Sequence, residues 1–466
     1  MTTRAVFLTG SLMRHVSVMS FTTSIGLMAM FAVDFIDMIF ISMLGKTALA
    51  AAVGYAATLL FFTSAINIGL SIAAGSLVAR SVGGGQAEDA RSYATGVAAL
   101  VVGVGIVVPI GALMFLPQLL SLLGAEGDVA LRAAEYLRIV LPSMMIVGLA
   151  MAGGAVLRAY GDARRSMLAT VAGGTVNAAL DPLFIFGLGL DLEGAAWATV
   201  CARVAMAVMT LAPAIRRYDA FAIPSARDIL ARLRSIFAIA LPAVLTNVAT
   251  PVGMAIVTRQ MAKFGTDAVA GLAVISRLSP VAFAVVFALS GAIGPIIGQN
   301  FGAGLFDRVR AAIRAGILFV GAYVLVVSVV LFLLRAPIAG IFDAEGVSRS
   351  LIYLFCGPIA LTWFFNGVIF VGNAGFNNLG SPFYSTVVNW GRHTLGTWPL
   401  AALGAVLLGA PGVLIGQAAG GVIFALLSVI LLRRITANPV AAAAEAEEVD
   451  PFQKERRLLI ITGRNR

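Results

Sequence analysis

Four oxygen-bearing residues stand inside otherwise apolar stretches: Asp37 in FIDMIF, Asn177 and Asp181 in NAALDP, and Thr199 in GAAWATV. Asn177 and Asp181 are four apart, which puts both on one face of a helix. Two carboxylates, an amide oxygen and a hydroxyl make a hard, all-oxygen set. It suits Na⁺, or a proton held between coupled acids, and it lacks the soft ligands a transition metal prefers. A carboxylate near a bilayer centre costs at least about 2.5 kcal/mol on insertion scales, so it is rarely kept without a use. The bland alternative is that each aspartate caps or braces a broken helix, Pro182 following directly on Asp181. Asp34, three residues before Asp37, shares its helical face and either joins the same site or bonds nearby backbone. Arg203, one turn from Thr199, either balances the acids or, like Arg277, snorkels to headgroups or braces a loop. His393, beside Arg392, could titrate near neutrality, but with no acidic neighbour it reads as structural. Cys201 and Cys356, inside apolar runs, read as small packing residues rather than a disulfide or metal pair.

The elements that must hold these residues are helices in lipid. Of 466 residues, 60% are hydrophobic and 12% charged, against roughly 25% charged in a soluble domain. Apolar segments near 16–43, 48–79, 93–120, 134–157, 166–187 and 195–215 are followed by a second set near 236–258, 268–299, 312–334, 350–372, 384–408 and 413–432. Each reaches or exceeds the roughly 20 residues that span hydrocarbon. The expected architecture is therefore all-α integral membrane, with twelve transmembrane helices in two lobes of six. Residues 1–215 form the first lobe and carry the cation site, 216–235 a linker, 236–432 the second lobe and 433–466 a polar tail. The net charge of +10 gathers in every second loop, as at Arg80 and Arg91, Arg158, Arg164 and Arg165, Arg216 to Arg234, and Arg308 to Arg314. That is the positive-inside pattern and places both termini in the cytoplasm of a multi-pass protein of the cell membrane, a bacterial inner membrane. Nucleic acid is excluded as a partner, because no loop is long enough to form a basic domain. The start of the chain lacks a removable signal peptide's pattern, so the first span is expected to stay as an anchor.

The halves repeat. LGKTALAAAV (44–53) resembles FGTDAVAGLA (264–273), RSVGGGQAEDARS (80–92) sits against NFGAGLFDRVRAA (300–312), and YGDARRSMLATV (160–171) against LGSPFYSTVVNW (379–390). An even number of spans per half makes the repeats parallel, and such symmetry suits alternating access around a site between halves. Paired this way, Asp37 meets Val257, Asn177 about Gly396, Asp181 about Leu400 and Thr199 about Gln417, so the buried acids belong to the first half alone. The glycine-rich stretches near Gly83 and Gly302 lack the Lys-Ser/Thr of a phosphate loop, and two histidines leave little for catalysis; neither an ATP-driven pump nor an enzyme is expected.

FIDMIFISMLGKTALAAA (35–52), NAALDPLFIFGLG (177–189), GAAWATV (194–200) and IGQNFGAGLFDRVR (297–310) resemble, in order and spacing, signatures of the multidrug and toxic compound extrusion (MATE) transporters over roughly residues 14–432. The NxxxD pair and the acid-free second lobe look most like the DinF-type branch. The resemblance implies a V-shaped pair of lobes, no cofactor, and an antiporter, expected to be monomeric, that exchanges H⁺ or Na⁺ for amphipathic, often cationic compounds. It assigns the cation to Asp37, Asn177, Asp181 and Thr199; Asp34, Asp162 and Arg203 are only candidate accessories, which the resemblance does not assign. Asp162 stands where that branch often has asparagine, and Thr22 falls where many relatives carry the proline that Pro242 supplies in the second half. Two further readings are a lipid-linked oligosaccharide flippase of the same superfamily and, from another class, an intramembrane enzyme or structural subunit.

Overall fold

A lipid-embedded backbone has no water to bond to, so apolar runs of this length close their hydrogen bonds internally, as helices. The computed structural model describes residues 5–43, 47–223 and 226–437. Among them the chain forms α1 (Leu12–Met43), α2 (Thr47–Gly83), α3 (Ala87–Met114), α4 (Leu116–Leu122), α5 (Gly127–Val140), α6 (Met144–Ala159), α7 (Ala163–Pro182) and α8 (Asp191–Arg216). There follow α9 (Ala226–Met261), α10 (Thr266–Ala282), α11 (Ala284–Gly302), α12 (Phe306–Ile341), α13 (Gly346–Leu354), α14 (Ala360–Asn378), α15 (Phe383–Gly391) and α16 (Thr397–Ala437). The polar tail expected beyond residue 437 lies outside the described residues.

Eleven stretches among the described residues are long and apolar enough to cross a bilayer, and the last of them, Phe383–Ala437, has 55 residues. Drawn out as one helix it would measure about 80 Å, far beyond a hydrocarbon core of about 30 Å. It does not run straight. Gly409, at φ 67° and ψ −148°, breaks the helical path two residues before Pro411. On either side Gly404 faces Gly412, Leu400 faces Gly416 and Gly396 faces Gly420, so closely that a Cβ on Gly404, Gly412, Gly416 or Gly420 would strike backbone. The stretch is thus a hairpin of two antiparallel legs, and the twelve expected passages are present. The repeat shows in the turns as well. The positive-φ glycines Gly85 and Gly304, Gly127 and Gly346, and Gly161 and Gly380 are each 219 apart, as in 304 less 85.

The chain divides into two compact units, one built on Ile25–Ala240 and the other on Phe7–Ser24 with the chain from Leu241 onward. Both α1 and α9 therefore pass from one unit to the other partway along their length. In the first unit α6 packs on α2 and α8, and α7 on α8. Its core gathers Leu70, Val78, Val97, Val101, Val156, Leu157 and Ile236. The helices approach where side chains are small: Gly148 lies against Asn67 and Val101, Gly153 against Thr210, and Gly173 against Met206. In the second unit α14 packs on α11, α12 and α16, with Gly367 against Val320 and Gly391 against Phe424. The segment before α1 is tied into this unit: Phe7 N donates to Gln299 Oε1 at 2.9 Å, and Phe7 O accepts from Asn300 Nδ2 at 3.2 Å and from an Arg308 guanidinium nitrogen at 3.0 Å. Phe21 packs edge-on against Phe319, with ring centroids 5.5 Å apart.

Filling the narrowest point of the hairpin tests this packing. Gly412→Val should lower the thermal midpoint of the purified protein, at a cost of about 1–3 kcal/mol or more for overpacking, while Gly340→Val, where a Cβ meets nothing within 4 Å, should leave the midpoint within the scatter of wild type.

Candidate cation site

The site residues of the first unit come from three helices. Asp37 lies near the end of α1, Asn177 and Asp181 in the last turns of α7, and Thr199 in the third turn of α8. Position 182 is proline, and α7 passes there into a π-helical turn, Leu183–Gly187. Proline removes one backbone bond and crowds the carbonyl a turn earlier, so the helix rewinds at this point.

The structure brings three of the four residues into direct contact. Asn177 Nδ2 donates to Asp181 Oδ2 at 2.8 Å and lies 3.3 Å from Asp37 Oδ1. Asp181 is fully buried, Asn177 nearly so, and Asp37 partly exposed. The Asp37 and Asp181 side chains lie within hydrogen-bonding reach of one another. Asp181 Oδ1 meets no donor among the described residues. Two ionised carboxylates repel at such range, and the arrangement becomes favourable when a proton or a cation stands between them. The asparagine fixes the geometry by donating its amide to both acids, leaving Asp181 Oδ1 for whatever neutralises the pair.

Thr199 donates its hydroxyl to Ala195 O of its own helix at 2.9 Å, which leaves its lone pairs as acceptors. Tyr136 on α5 lies near this side chain and feels Arg203, Asp37 and Asp181 electrostatically. Tyr136 is a neighbour of the cluster that the sequence did not single out. It stands in EYLRIV beside charged residues, and nothing in that pattern separates a tyrosine facing inward from one at a membrane boundary.

The accessory residues sort differently. Arg203 donates to Val140 O at 3.0 Å and to Ser143 Oγ at 2.6 Å, bracing the break between α5 and α6 at Pro142. Asp162 caps α7: its Oδ1 accepts Arg165 N at 3.1 Å, its Oδ2 pairs with the Arg165 guanidinium, and Tyr218 Oη donates to Oδ2 at 2.8 Å. The side chain of Asp34 lies outside those described. His393 belongs to the second unit, buried on a π-helical turn (Arg392–Gly396) between α15 and α16.

A helical membrane protein with an internal repeat, and a cluster of carboxylates buried among its apolar spans, has the make-up of a carrier. The MatE family profile matches residues 23–183 and 242–403, one block in each half. The chain belongs to this family of transporters. It is 29% identical over 442 residues, 91% of this chain and 95% of the other, to a protein of Shewanella oneidensis described as a FAD transporter. It is 27% identical over 246 residues, 52% of this chain and 54% of the other, to the multidrug export protein MepA of Staphylococcus aureus. Its fold matches the crystal structure of the Vibrio cholerae MATE transporter VcmN in the bent form with a TM-score of 0.86 at 23% identity, covering 92% of this chain and 98% of that one. The protein is a multi-pass membrane transporter and not an enzyme.

Asp162, in the turn between α6 and α7, supplies a pH-dependent test of its capping role. Burial alone would push its carboxyl up, but the hydrogen bonds from Arg165 and Tyr218 outweigh that and hold it below the usual carboxylate range. A depressed folded value means the stabilisation is complete above the ordinary aspartate pKa of about 3.9 and is lost as pH falls through the folded value. Asp162→Ala should lower stability by about 1–2 kcal/mol at pH 7, and the gap to wild type should shrink on acidification through about pH 4 to 3. Thermal midpoints across that range check it; a gap that does not change with pH would show that the charge contributes nothing.

Proposed function

We propose that the protein exports amphipathic organic compounds in exchange for H⁺ or Na⁺, by alternating access, with the cation bound at Asp37, Asn177, Asp181 and Thr199. The observation that carries this reading is the buried contact in which Asn177 bridges two carboxylates, one of whose oxygens lacks a donor among the described residues. An all-oxygen cluster of this kind binds a proton or a hard cation and little else. The cation couples to transport only if it binds the two facing states with different affinity. On this reading both termini are cytoplasmic, by the distribution of basic loops, and the working unit is a monomer. Organic cations are the default cargo, following the likeness to a multidrug exporter. A flavin dinucleotide is a second cargo to test, because the relative described as a FAD transporter matches this chain over nearly its whole length.

The test is transport in proteoliposomes loaded with a fluorescent cationic dye, with Na⁺ and pH gradients imposed separately. One gradient should drive dye movement, and Asp37→Asn, Asp181→Asn and Asn177→Ala should each reduce the driven rate by about tenfold or more, the loss of a charge-assisted contact. Gradient-driven export at the wild-type rate in Asp181→Asn would remove the basis of the assignment.

A further inference from the structure

The second unit carries a charge of the opposite sign that the cation site does not use. Arg392 opens the π-helical turn between α15 and α16, within the last apolar stretch. One guanidinium nitrogen donates to Asn366 Oδ1 of α14 at 2.6 Å and another approaches His393 Nε2 at 3.0 Å. A guanidinium has five N–H donors and no acceptor, so two contacts leave most of its capacity unspent. Because arginine only donates, His393 Nε2 is the acceptor and the imidazole proton sits on Nδ1. That Nδ1 is buried, finds no partner among the described residues and lies hard against Gly253 of α9.

Among the described residues of the second unit, no carboxylate is placed to neutralise this charge. Between residues 241 and 437 the sequence has four acids, Asp267, Asp307, Asp343 and Glu345. Asp267 and Asp307 lie in the first turns of α10 and α12, and Asp343 and Glu345 between α12 and α13. Holding an unneutralised arginine in a membrane segment is costly, and such residues mark ligand pathways. Arg203 of the first unit is the informative contrast, since it is spent on a backbone carbonyl and a serine at a helix break. The repeat sharpens the point. At an offset of 219 the counterparts of Arg392, His393 and Asn366 are Gly173, Gly174 and Val147, so this guanidinium has no counterpart at the matching position of the first unit.

Aromatic rings flank its partner Asn366 along α14. Trp363 and Phe370 are three before and four after Asn366, on the same face of α14. Trp363 stacks on Phe283 at 4.5 Å and meets Phe287 edge-on at 5.4 Å, and Phe287 reaches Phe370 at 5.7 Å. Trp363, Phe287 and Phe370 are all partly exposed. A fixed cation next to exposed ring surface repels organic cations and suits a ligand with an aromatic body and a negative group.

We infer that Arg392, with Asn366 and His393, forms a ligand subsite in the second unit that takes the carboxylate or phosphate of an aromatic anion, the ring lying along Trp363, Phe287 and Phe370. This rests on the transporter reading and extends its cargo to aromatic anions. The same chemistry would also accept the phosphate of a lipid headgroup.

The test is equilibrium binding to the full-length protein in nanodiscs of neutral lipid, comparing FAD with riboflavin, which shares the isoalloxazine ring system and lacks the pyrophosphate and the adenosine. Wild type should prefer FAD by about tenfold or more. Arg392→Gln should bring the ratio near one with riboflavin binding unchanged, Asn366→Asp should do the same by neutralising the guanidinium in place, and Arg392→Lys should retain part of the preference. Repeating the measurement with phosphatidylglycerol in the nanodisc separates the sources. Competition with FAD in wild type but not in Arg392→Gln means that the headgroup also enters the subsite, and no competition means that it takes soluble anions only. Absence of FAD binding by monodisperse wild-type protein, or a wild-type ratio in both Arg392→Gln and Asn366→Asp, overturns the inference. Because no ion gradient is involved, a failure of cation-coupled export would leave this result untouched, and the reverse also holds.

Discussion

Helices in hydrocarbon gain nothing from burying apolar faces against each other, since the lipid is equally apolar; they associate where backbones approach closely enough for dispersion contacts to accumulate. That constraint runs through this protein, which has 50 glycines among its 466 residues. The hairpin of α16 closes glycine against backbone at three successive levels. In the first unit Gly173, one turn before Asn177, lets α7 settle onto Met206 of α8, and Gly174 admits Val33 of α1. Those two contacts bring α1 and α8 up to the segment of α7 that carries the cluster. A bulky residue at either position would move Asp37 or Thr199 away from Asn177 before it touched any polar atom.

Against that uniform background the few ionisable groups in the spans divide by unit. The first unit spends its buried polarity on two carboxylates bridged by an amide, and its one arginine beside them is consumed by backbone at a helix break. The second unit has no acid within the body of its helices and keeps a guanidinium held by an amide and an imidazole. Duplication made the two frames alike, down to the glycines of their turns. Divergence in side chains made them electrostatically opposite.

Much of this is written in the sequence because membrane insertion is read from local composition. Uncharged runs of sufficient length give the helices, and the acids stand out because almost nothing else in those runs is polar. Asn177 and Asp181 were legible as a pair through their spacing alone. Their bond to Asp37, 140 residues away, required the repeat and the family likeness to suspect and coordinates to see. Tyr136 gave no signal, because a tyrosine near a helix end is ordinary at a membrane interface. Arg203 and Asp162 show the converse: their positions invited a role beside the cation, and their hydrogen bonds are spent on a helix break and a helix cap. The passage of α1 and α9 from one unit to the other also escapes hydropathy, which records that a helix spans and not which neighbours it chooses.

The tie between Phe7 and Gln299 has a consequence for the order of assembly. Phe7 is made 292 residues ahead of the side chain that accepts its N–H. At about 5–20 residues per second that interval is roughly 15–60 s, during which the whole first unit can be inserted and packed. The segment Phe7–Ser24 is therefore synthesised well before the helices it docks against. Until α11 and α12 arrive it must be kept from the wrong neighbours by something other than its native contacts, either the insertion machinery or the first unit itself.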